Sequence, residues 1–220
     1  MTERIVVVGA GGFGRETLDV IEAINAEGRT LHVVGVIDAG PREIDLDRLA
    51  ERDVAYLGTE EEWLPHASGD ERFVVAIGAP RVREAVARRL TAAGLRAATL
   101  IHPRAVVGSR GRIGVGVVVA SGVQVSTNVT VGDHVHLNPA SVIGHDAVLS
   151  DFASVNPGAI VSGNVRVETG VLLGAGSVVL QGLTVGAGAT VGAAACVTRD
   201  VEAGTTVTGV PAREWRAAER

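Results

Sequence analysis

Aliphatic residues recur at every sixth position through the second half of the chain. The uninterrupted series consists of Ile101, Val107, Ile113, Val119, Val125, Val131, Leu137, Ile143, Leu149, Val155, Val161, Val167, Leu173, Val179, Val185, Val191 and Val197. A helix repeats about every 3.6 residues and a strand every two, so neither element alone explains this period. A period of six is typical of a parallel β-solenoid, in which each short strand stacks on the equivalent strand of the previous coil.

A second series lies four positions after the first and holds small or β-branched residues. Its members are Val117, Val123, Val129, Val135, Ser141, Ala147, Ala153, Ala159, Val165, Val171 and Ser177. Both series are expected to point inward and to interlock as layers of one core. Three hexapeptides make a coil of about 18 residues, which predicts about five coils. Glycine often follows the aliphatic residue, and we expect the backbone to turn at Gly114, Gly132, Gly144, Gly174, Gly186 and Gly192.

The first hundred residues alternate strand-like and helix-like segments. Strands are predicted at Arg4–Val8, His32–Ile37 and Arg72–Ile77, a short one at Tyr56–Gly58, and helices at Gly14–Ala26 and Arg81–Ala93. Such alternation indicates a parallel sheet covered by helices. The sequence therefore predicts two domains, a half-sized nucleotide-binding-like α/β domain over residues 1–100 and the solenoid over residues 101–220. Flat, valine-rich solenoid faces are a liability for a monomer, which favours an oligomer.

Composition excludes several functions. The formal charge of −5 and the absence of a basic run argue against nucleic acid as a partner. The chain contains no lysine, which excludes Schiff-base chemistry, and Cys196 is its single cysteine, which favours a reducing compartment. No apolar run reaches the roughly 18 residues of a membrane helix, and no signal-peptide pattern precedes the first strand. We therefore expect a soluble, cytoplasmic protein without a membrane partner.

Residues 9–14 read Gly-Ala-Gly-Gly-Phe-Gly and fit the pattern G-x-G-x-x-G between a predicted strand and a predicted helix. Glycines allow backbone N–H groups to approach a phosphate at the positive end of the helix. Asp38, at the end of the second strand, is placed to accept hydroxyls of a ribose or a sugar. The motif predicts a ligand that carries phosphate. A purely structural turn and an NAD site are the alternatives, although nothing in the chain suggests a hydride-transfer site.

His145 and Asp146 are the candidate catalytic pair. They lie between the inward positions Ile143 and Ala147, so both side chains should face outward. The period of 18 residues places four residues of the adjacent coils beside the pair, namely Thr127, Asn128, Gly163 and Asn164. A carboxylate beside an imidazole favours the imidazolium that forms when a general base takes a proton. Surface decoration is the alternative interpretation.

The remaining polar residues of the solenoid suggest less chemistry. His134 and His136 are interpreted as surface or interface residues at outward or rim positions, because no further metal-ligand cluster accompanies them, and no metal is expected. Asn138 and Asn156 are one coil apart and are predicted to form a stacked amide pair. Cys196 has no activating partner in the sequence, so it is not expected to act as a nucleophile.

Several segments resemble one enzyme family. The solenoid closes with the sequence VTGVPAR at residues 207–213, as in hexapeptide-repeat acyltransferases, which use acetyl-CoA. The N-terminal VVVGAGGFGRETLDV, the Ala76–Gly78 strand end, and Asn138 together with Gly144-His145-Asp146 resemble the sugar O- and N-acetyltransferases of the sialic-acid O-acetyltransferase (NeuD) and PglD type. The resemblance covers essentially the whole chain.

The resemblance implies a small Rossmann-like domain joined to a left-handed parallel β-helix, in a homotrimer with active sites in the clefts between neighbouring solenoids. It implies that residues 1–100 bind a nucleotide-sugar, and that residues 101–220 form the acetyl-CoA-binding catalytic domain with a C-terminal cap. His145 would be the general base and Asp146 would raise its basicity. The positions implied to contact acetyl-CoA are Ser154, where certain relatives have a second histidine, Ala175 and Ala193. The positions implied around the sugar substrate are Gly11, Gly12, Phe13, Asp38, Gly78 and Asn138.

The predicted reaction is direct acetyl transfer from acetyl-CoA to the amino group of a nucleotide-linked amino-deoxy sugar, without an acyl-enzyme. O-acetylation of sialic acid or of another sugar hydroxyl by the same machinery is the first alternative. A non-enzymatic nucleotide-sugar sensor or scaffold is the second. The nucleotide and the sugar are not predicted.

Overall fold

A computed structural model describes residues 2–215 of the chain. The chain divides into two compact units, Met1–Pro103 and Arg104–Arg220. The first is an α/β unit and the second is a parallel β-helix of about six turns. The predicted fold class is confirmed. None of the helices in the described part of the chain combines the length and apolar character that spanning a bilayer requires.

The first unit is built on a four-stranded parallel sheet. Its elements are β1 (Glu3–Val8), α1 (Gly12–Ala26), β2 (Leu31–Ile37), α2 (Glu43–Ala50), α3 (Glu60–Trp63), a 3-10 turn (Leu64–His66), β3 (Arg72–Val75), α4 (Pro80–Ala92), β4 (Arg96–Ala97) and β5 (Leu100–Ile101). The strand order is β2-β1-β3-β4. Strand β1 is central, and its residues Ile5, Val6 and Val7 are completely buried, as expected for a strand covered on both faces.

The sequence missed two short helices of this unit and overstated one strand. Helix α2 has 8 residues and α3 has 4, which is too short for a helical period to stand out. A capping box at Thr59 and Glu62 starts α3, and this local signal was available in the sequence. The predicted strand Tyr56–Gly58 is only a single bridge between Tyr56 and Val36, because Gly58 turns the chain with a φ of 89°.

The second unit repeats a two-residue strand three times per coil. The strands of the coils are β6 (Val106–Val107), β7 (Arg112–Ile113), β8 (Val118–Val119), β9 (Gln124–Val125), β10 (Thr130–Val131), β11 (His136–Leu137), β12 (Val142–Ile143), β13 (Val148–Leu149), β14 (Ser154–Val155), β15 (Ile160–Val161), β16 (Arg166–Val167), β17 (Leu172–Leu173), β18 (Val178–Val179), β19 (Thr184–Val185), β20 (Thr190–Val191) and β21 (Cys196–Val197).

Register and burial confirm the predicted period. Each strand from β6 to β18 pairs in parallel with the strand 18 residues on, as Thr130 does with Val148. From Val119 to Val197 the aliphatic series is at most 4% exposed, and the second inward series is at most 1% exposed. Within the described residues, six strands stack along the face β6-β9-β12-β15-β18-β21. Together with β22 (Thr206–Thr208), which adds one more strand to the neighbouring face beyond β20, these coils make about six turns, one more than predicted.

The predicted role of the turn glycines was wrong. Left-handed backbone lies two residues later, at every sixth position; the residues concerned are Arg110, Gly116, Gly122, Asn128, His134, Ala140, Asp146, Phe152, Gly158, Asn164, Gly170, Gly176, Gly182, Gly188 and Ala194. The glycines after the anchors are needed for close approach between coils instead. A Cβ on Gly144, for example, would lie 2.5 Å from the backbone nitrogen of Gly163.

The C-terminal segment continues one face and then reverses. Strand β22 (Thr206–Thr208) pairs in parallel with β20, and β23 (Arg213–Glu214) pairs with β22 in the antiparallel sense. Val207 and Ala212 are 8% and 5% exposed in this segment. It therefore covers apolar surface at the last coil.

Candidate active site

His145 and Asp146 lie on the edge of the β-helix that follows strand β12. Their side chains are 57% and 44% exposed, and Nδ1 of His145 lies 2.7 Å from Oδ2 of Asp146. The hydrogen bond from His145, supported by a second one from Asn128, holds the pKa of the Asp146 carboxyl below its usual value. An ionised carboxylate accepts hydrogen bonds only, so Nδ1 carries the proton and Nε2 is left as the proton acceptor.

The adjacent coils hold the backbone of this pair. The carbonyl of Thr127 accepts the Asp146 N–H at 3.1 Å, and the His145 carbonyl accepts the Asn164 N–H at 2.8 Å. Gly163 lies beside the imidazole, because a Cβ added there would be 2.5 Å from Nε2 of His145. The neighbours that the 18-residue period predicted are therefore in place. The side chain of Asn128, for which the sequence suggested no role, donates to Oδ1 of Asp146 at 3.1 Å.

The arrangement is suited to general-base chemistry on a substrate at the solenoid surface. The carboxylate orients the ring through Nδ1 and stabilises the positive charge that the ring acquires when Nε2 takes a proton. Exposure of the ring leaves Nε2 accessible to a nucleophile that must lose a proton. This chemistry fits an attacking amine or hydroxyl.

The prediction that His134 and His136 are surface or interface residues was wrong, because both are buried within a single chain. They are 6% and 1% exposed. The ring of His134 stacks on that of Phe152, one coil further on, at a centroid distance of 5.2 Å. His136 belongs to strand β11, where the face β8-β11-β14 is closed to solvent, since the outward residues Val118 and Ser154 are also 1% exposed. The hexapeptide period predicted that these side chains point outward from the coil. It did not predict that this face of the β-helix is buried.

The predicted amide pair is confirmed. Nδ2 of Asn138 donates to Oδ1 of Asn156 at 3.2 Å, and Asn138 is 8% exposed. Because the pair joins strands β11 and β14 at their ends, it continues the stacking of coils through side chains.

The three positions implied for acetyl-CoA differ in accessibility. Ser154 is buried in β14, whereas Ala175 and Ala193 are exposed. The two alanines lie one coil apart on one edge of the solenoid, since the N–H of Ala194 donates to the carbonyl of Ala175 at 2.8 Å. His145 occupies a different edge. The face that carries β12 and β15 lies between these two edges, so a single chain does not bring the alanines and the imidazole together.

In the first unit, the residues implied for the sugar substrate gather at the carboxyl ends of β1, β2 and β3. Gly11 is the N-cap of α1, and Gly12 and Phe13 form its first turn. Asp38 follows β2 and accepts the Ala10 N–H at 2.8 Å through Oδ2. Its Oδ1 accepts the Gly40 N–H at 2.9 Å. Asp38 therefore shapes the glycine-rich loop, and each of its oxygens retains a lone pair for a hydroxyl.

Gly78 lies in the loop after β3, which touches the glycine-rich loop. A Cβ on Gly9 would lie 2.7 Å from the Ala76 carbonyl oxygen. The loop is held by Arg83 of α4, whose Nη1 donates to the carbonyls of Ile77 at 2.8 Å and Gly78 at 3.2 Å. Burial lowers the pKa of Arg83 to about 9, so the guanidinium is still charged at neutral pH.

Sequence reasoning missed Arg83, although a signal existed. Arg83 stands at the start of an i, i+3, i+4, i+7 set whose other members are Val86, Ala87 and Leu90, all buried. An arginine on the apolar face of a helix requires polar partners inside the protein. The helical period therefore marks Arg83 as a residue with a specific buried contact.

A second cation is fixed next to the glycine-rich loop. Nη1 of Arg15 donates to the Ala10 carbonyl at 3.0 Å and to Oδ1 of Asp45 at 2.6 Å. Arg42 also binds Asp45 through two hydrogen bonds. These hydrogen bonds, first from Arg42 and then from Arg15, hold the pKa of Asp45 far below its usual value. The sequence did not indicate this cluster, because Asp45 lies in the unpredicted helix α2.

Among residues 2–215, no group of three or more histidine, cysteine, aspartate or glutamate side chains is placed to hold a metal ion.

The fold and the dyad together define a hexapeptide-repeat sugar acetyltransferase with an N-terminal α/β unit, and comparisons with known proteins agree. Residues 4–90 match the family model of the PglD N-terminal domain. A crystal structure of a mutant perosamine N-acetyltransferase from Caulobacter crescentus, in complex with CoA and GDP-perosamine, is 31% identical, with a TM-score of 0.86 and 99% coverage of each chain. The chain belongs to the NeuD/PglD-type family of sugar acetyltransferases.

Two further relatives are similar. The acetyltransferase domain of PglB from Neisseria gonorrhoeae, in complex with acetyl coenzyme A, is 29% identical over 98% of this chain and 100% of that one, with a TM-score of 0.85. A GDP-perosamine N-acetyltransferase of Escherichia coli O157:H7 is 33% identical over 144 residues. That match spans 64% of this chain and 61% of the relative.

Proposed function

We propose that the protein transfers the acetyl group of acetyl-CoA to the amino group of a nucleotide-linked amino-deoxy sugar. The observation that carries the proposal is the exposed His145–Asp146 pair on a β-helix whose whole chain is 31% identical to a perosamine N-acetyltransferase bound to CoA and GDP-perosamine. By that relationship, a guanosine diphosphate sugar with a 4-amino group is the first substrate to test.

In the proposed reaction, the sugar nitrogen attacks the thioester carbonyl of acetyl-CoA while Nε2 of His145 accepts its proton. A carbon–nitrogen bond forms and the carbonyl becomes a tetrahedral oxyanion. Collapse of that intermediate breaks the carbon–sulfur bond, and the CoA thiolate leaves and takes up a proton. Asp146 stabilises the imidazolium formed in between. Such general-base assistance is typically worth about 10²–10⁴-fold in rate.

The two units would divide the substrates between them. The α/β domain, residues 1–100, would hold the nucleotide-sugar. This is supported by the N-terminal end of α1 and by the Arg15 guanidinium beside the glycine-rich loop, both of which favour a diphosphate. The β-helix domain, residues 101–220, would bind acetyl-CoA and supply the base. The residues proposed for the nucleotide-sugar are Gly11, Gly12, Phe13, Asp38 and Gly78 of the α/β domain and, as the exception to this division, Asn138 of the β-helix. Those proposed for acetyl-CoA are Ser154, Ala175 and Ala193.

A homotrimer is proposed as the working form, in the cytoplasm. The face between the His145 edge and the Ala175 edge exposes aliphatic side chains: Val106 is 55%, Val142 is 36% and Ile160 is 39% exposed. Packing of this face against neighbouring copies would bury it. The same packing would set the imidazole of one copy beside the acetyl-CoA edge of the next, which one chain alone does not achieve.

The experiment incubates the purified protein with acetyl-CoA and a panel of nucleotide-linked 4-amino-deoxy sugars that includes GDP-perosamine. Release of CoA thiol and the gain of one acetyl group by mass spectrometry are followed. The panel also contains sialic acid and CMP-sialate, which test O-acetylation.

His145→Ala should lower turnover by at least about a hundredfold with the fold retained. Near-normal turnover in that variant would reject His145 as the base. Activity on hydroxyl acceptors alone would replace the proposed reaction by O-acetylation, and failure to bind acetyl-CoA would favour a non-enzymatic role.

A further inference from the structure

The Asp146 carboxylate is held at both of its oxygens. Oδ2 lies 2.7 Å from Nδ1 of His145, and Oδ1 accepts a hydrogen bond from Nδ2 of Asn128 at 3.1 Å. Asn128 and Asp146 occupy equivalent positions one coil apart. The result is a hydrogen-bonded series of three side chains, amide to carboxylate to imidazole, that crosses two coils of the β-helix.

We propose that Asn128 is a positioning residue for proton transfer: it fixes the Asp146 carboxylate and, through it, the orientation of the His145 ring. The inference rests on the proposed function of His145 as general base. Asn128 does not touch the reacting atoms in this scheme. Its effect is to keep Nε2 pointing in one direction while the substrate nitrogen approaches.

The exposure of the pair explains why such a contact matters. The side chains of Asp146 and His145 are 44% and 57% exposed, so packing does little to restrict their torsions. The backbone is already fixed, because the Asp146 N–H bonds to Thr127 and the Asn128 N–H bonds to the Ser109 carbonyl at 3.1 Å. The side-chain torsion of Asp146 is the freedom that remains. A second hydrogen bond on the carboxylate restricts that torsion. The side-chain entropy is then lost when the protein folds, so it does not have to be lost during the reaction.

A competing explanation is that Asn128 is present only for its backbone conformation. Its φ is 60°, in the left-handed region that asparagine tolerates well. Asn164 provides the comparison, because it is one coil beyond Asp146, has a φ of 58° and is also exposed. Within residues 2–215, Asn164 makes a backbone hydrogen bond, from its N–H to the His145 carbonyl. The two asparagines therefore match in strain and differ in the contact with Asp146.

The test compares Asn128→Asp with Asn164→Asp in the full-length protein. Aspartate has the shape of asparagine and tolerates this φ, as Asp146 does at 59°, but when ionised it cannot donate and it repels the Asp146 carboxylate. Asn128→Asp should lower kcat roughly three- to tenfold or more, the range of one lost hydrogen bond, with KM for both substrates unchanged. Asn164→Asp should leave kcat within about twofold, and the two variants should have similar melting temperatures. Asn128→Ala, which removes the donor without adding charge, should also lower kcat.

A second readout does not depend on turnover. The ¹⁵N chemical shifts of the His145 ring report which nitrogen carries the proton. In the wild type and in Asn164→Asp the ring should hold its proton at Nδ1, and in Asn128→Ala it should show a mixture of tautomers. Equal kcat values for the Asn128 and Asn164 variants, or an unchanged tautomer in Asn128→Ala, would overturn the inference. If the wild type transfers no acetyl group, the proposed function fails, while the ring shifts still decide whether Asn128 orients His145.

Discussion

A methyl group placed at Gly163 should displace the catalytic imidazole while leaving the protein folded. In Gly163→Ala the new Cβ would lie 2.5 Å from Nε2 and 2.6 Å from Cε1 of His145. Ordinary van der Waals contact begins near 3.4 Å, so the ring must move by about 0.9 Å. A misplacement of about 1 Å can cost on the order of a hundredfold in rate. We therefore expect kcat to fall by about 10- to 100-fold.

The cost to stability should be small for two structural reasons. Gly163 does not have a left-handed φ, so alanine fits its backbone, and replacing glycine reduces the entropy of the unfolded chain. The atoms that the methyl group meets belong to the end of a side chain that is 57% exposed and free to swing outward. The melting temperature should therefore stay within a few degrees of the wild-type value, roughly what 1 kcal/mol produces in a domain of this size.

The assay measures initial rates of CoA release alongside thermal unfolding. The matched control is the same substitution in a His145→Ala background, where the methyl group meets no ring and the residual rate should not change. Wild-type kcat in Gly163→Ala would refute the reasoning, because it would mean that the position of Nε2 is not critical. An equal loss in both backgrounds would assign the effect to the coil backbone rather than to the imidazole.

Three further outcomes are expected. In Asp38→Asn, an NH₂ group replaces one of the two carboxylate oxygens that accept backbone N–H groups such as that of Ala10. The affinity for GDP, measured by calorimetry, should therefore fall about tenfold. An unchanged affinity would show that Asp38 does not contribute to nucleotide binding. The ionised form of Asp146, whose pKa His145 lowers, contributes stability above about pH 4 that is lost as the pH falls through its lower folded pKa. The melting-temperature difference between the wild type and Asp146→Asn should thus shrink as the pH falls below about 4; a difference that stays constant from about pH 5 down to pH ~2 would contradict this. Ile160→Asp, on the exposed aliphatic face with Val142, should convert a trimer to monomers in light scattering, and a wild type that is already monomeric would refute the proposed assembly.

Much of the β-helix could be predicted because its coils obey one local rule. A parallel stack forces equivalent residues of successive coils onto each other, so the spacing along the chain is also the spacing in space. For this reason the sequence placed Thr127 and Gly163 beside His145, and paired Asn138 with Asn156, without any tertiary information. The same logic failed for the glycines after the anchors, because the period shows where a small residue recurs but not whether φ or the next coil requires it.

The α/β unit was less predictable because its site depends on contacts between distant segments. The glycine-rich loop could be identified from its G-x-G-x-x-G pattern, and Asp38 from its position at the end of a strand. Helix α2 left no periodic signal, so the role of Asp45 in holding Arg15 was invisible. Arg83 was missed because its helix was recognised from the spacing of its apolar residues. That spacing does not show that an arginine on the same face needs buried hydrogen-bond acceptors.

Periodicity alone established the inward and outward direction of nearly every side chain in the β-helix, since direction follows from the position within each hexapeptide. Folding in three dimensions determined which outward residues remain in water: His145 and Ile160 do, whereas His136 and Ser154 do not. The physical reason is that direction is a local property of the backbone, while exposure depends on what packs against each face. The candidate catalytic pair could thus be read from spacing, but its accessibility and its hydrogen bond to Asn128 required the tertiary structure.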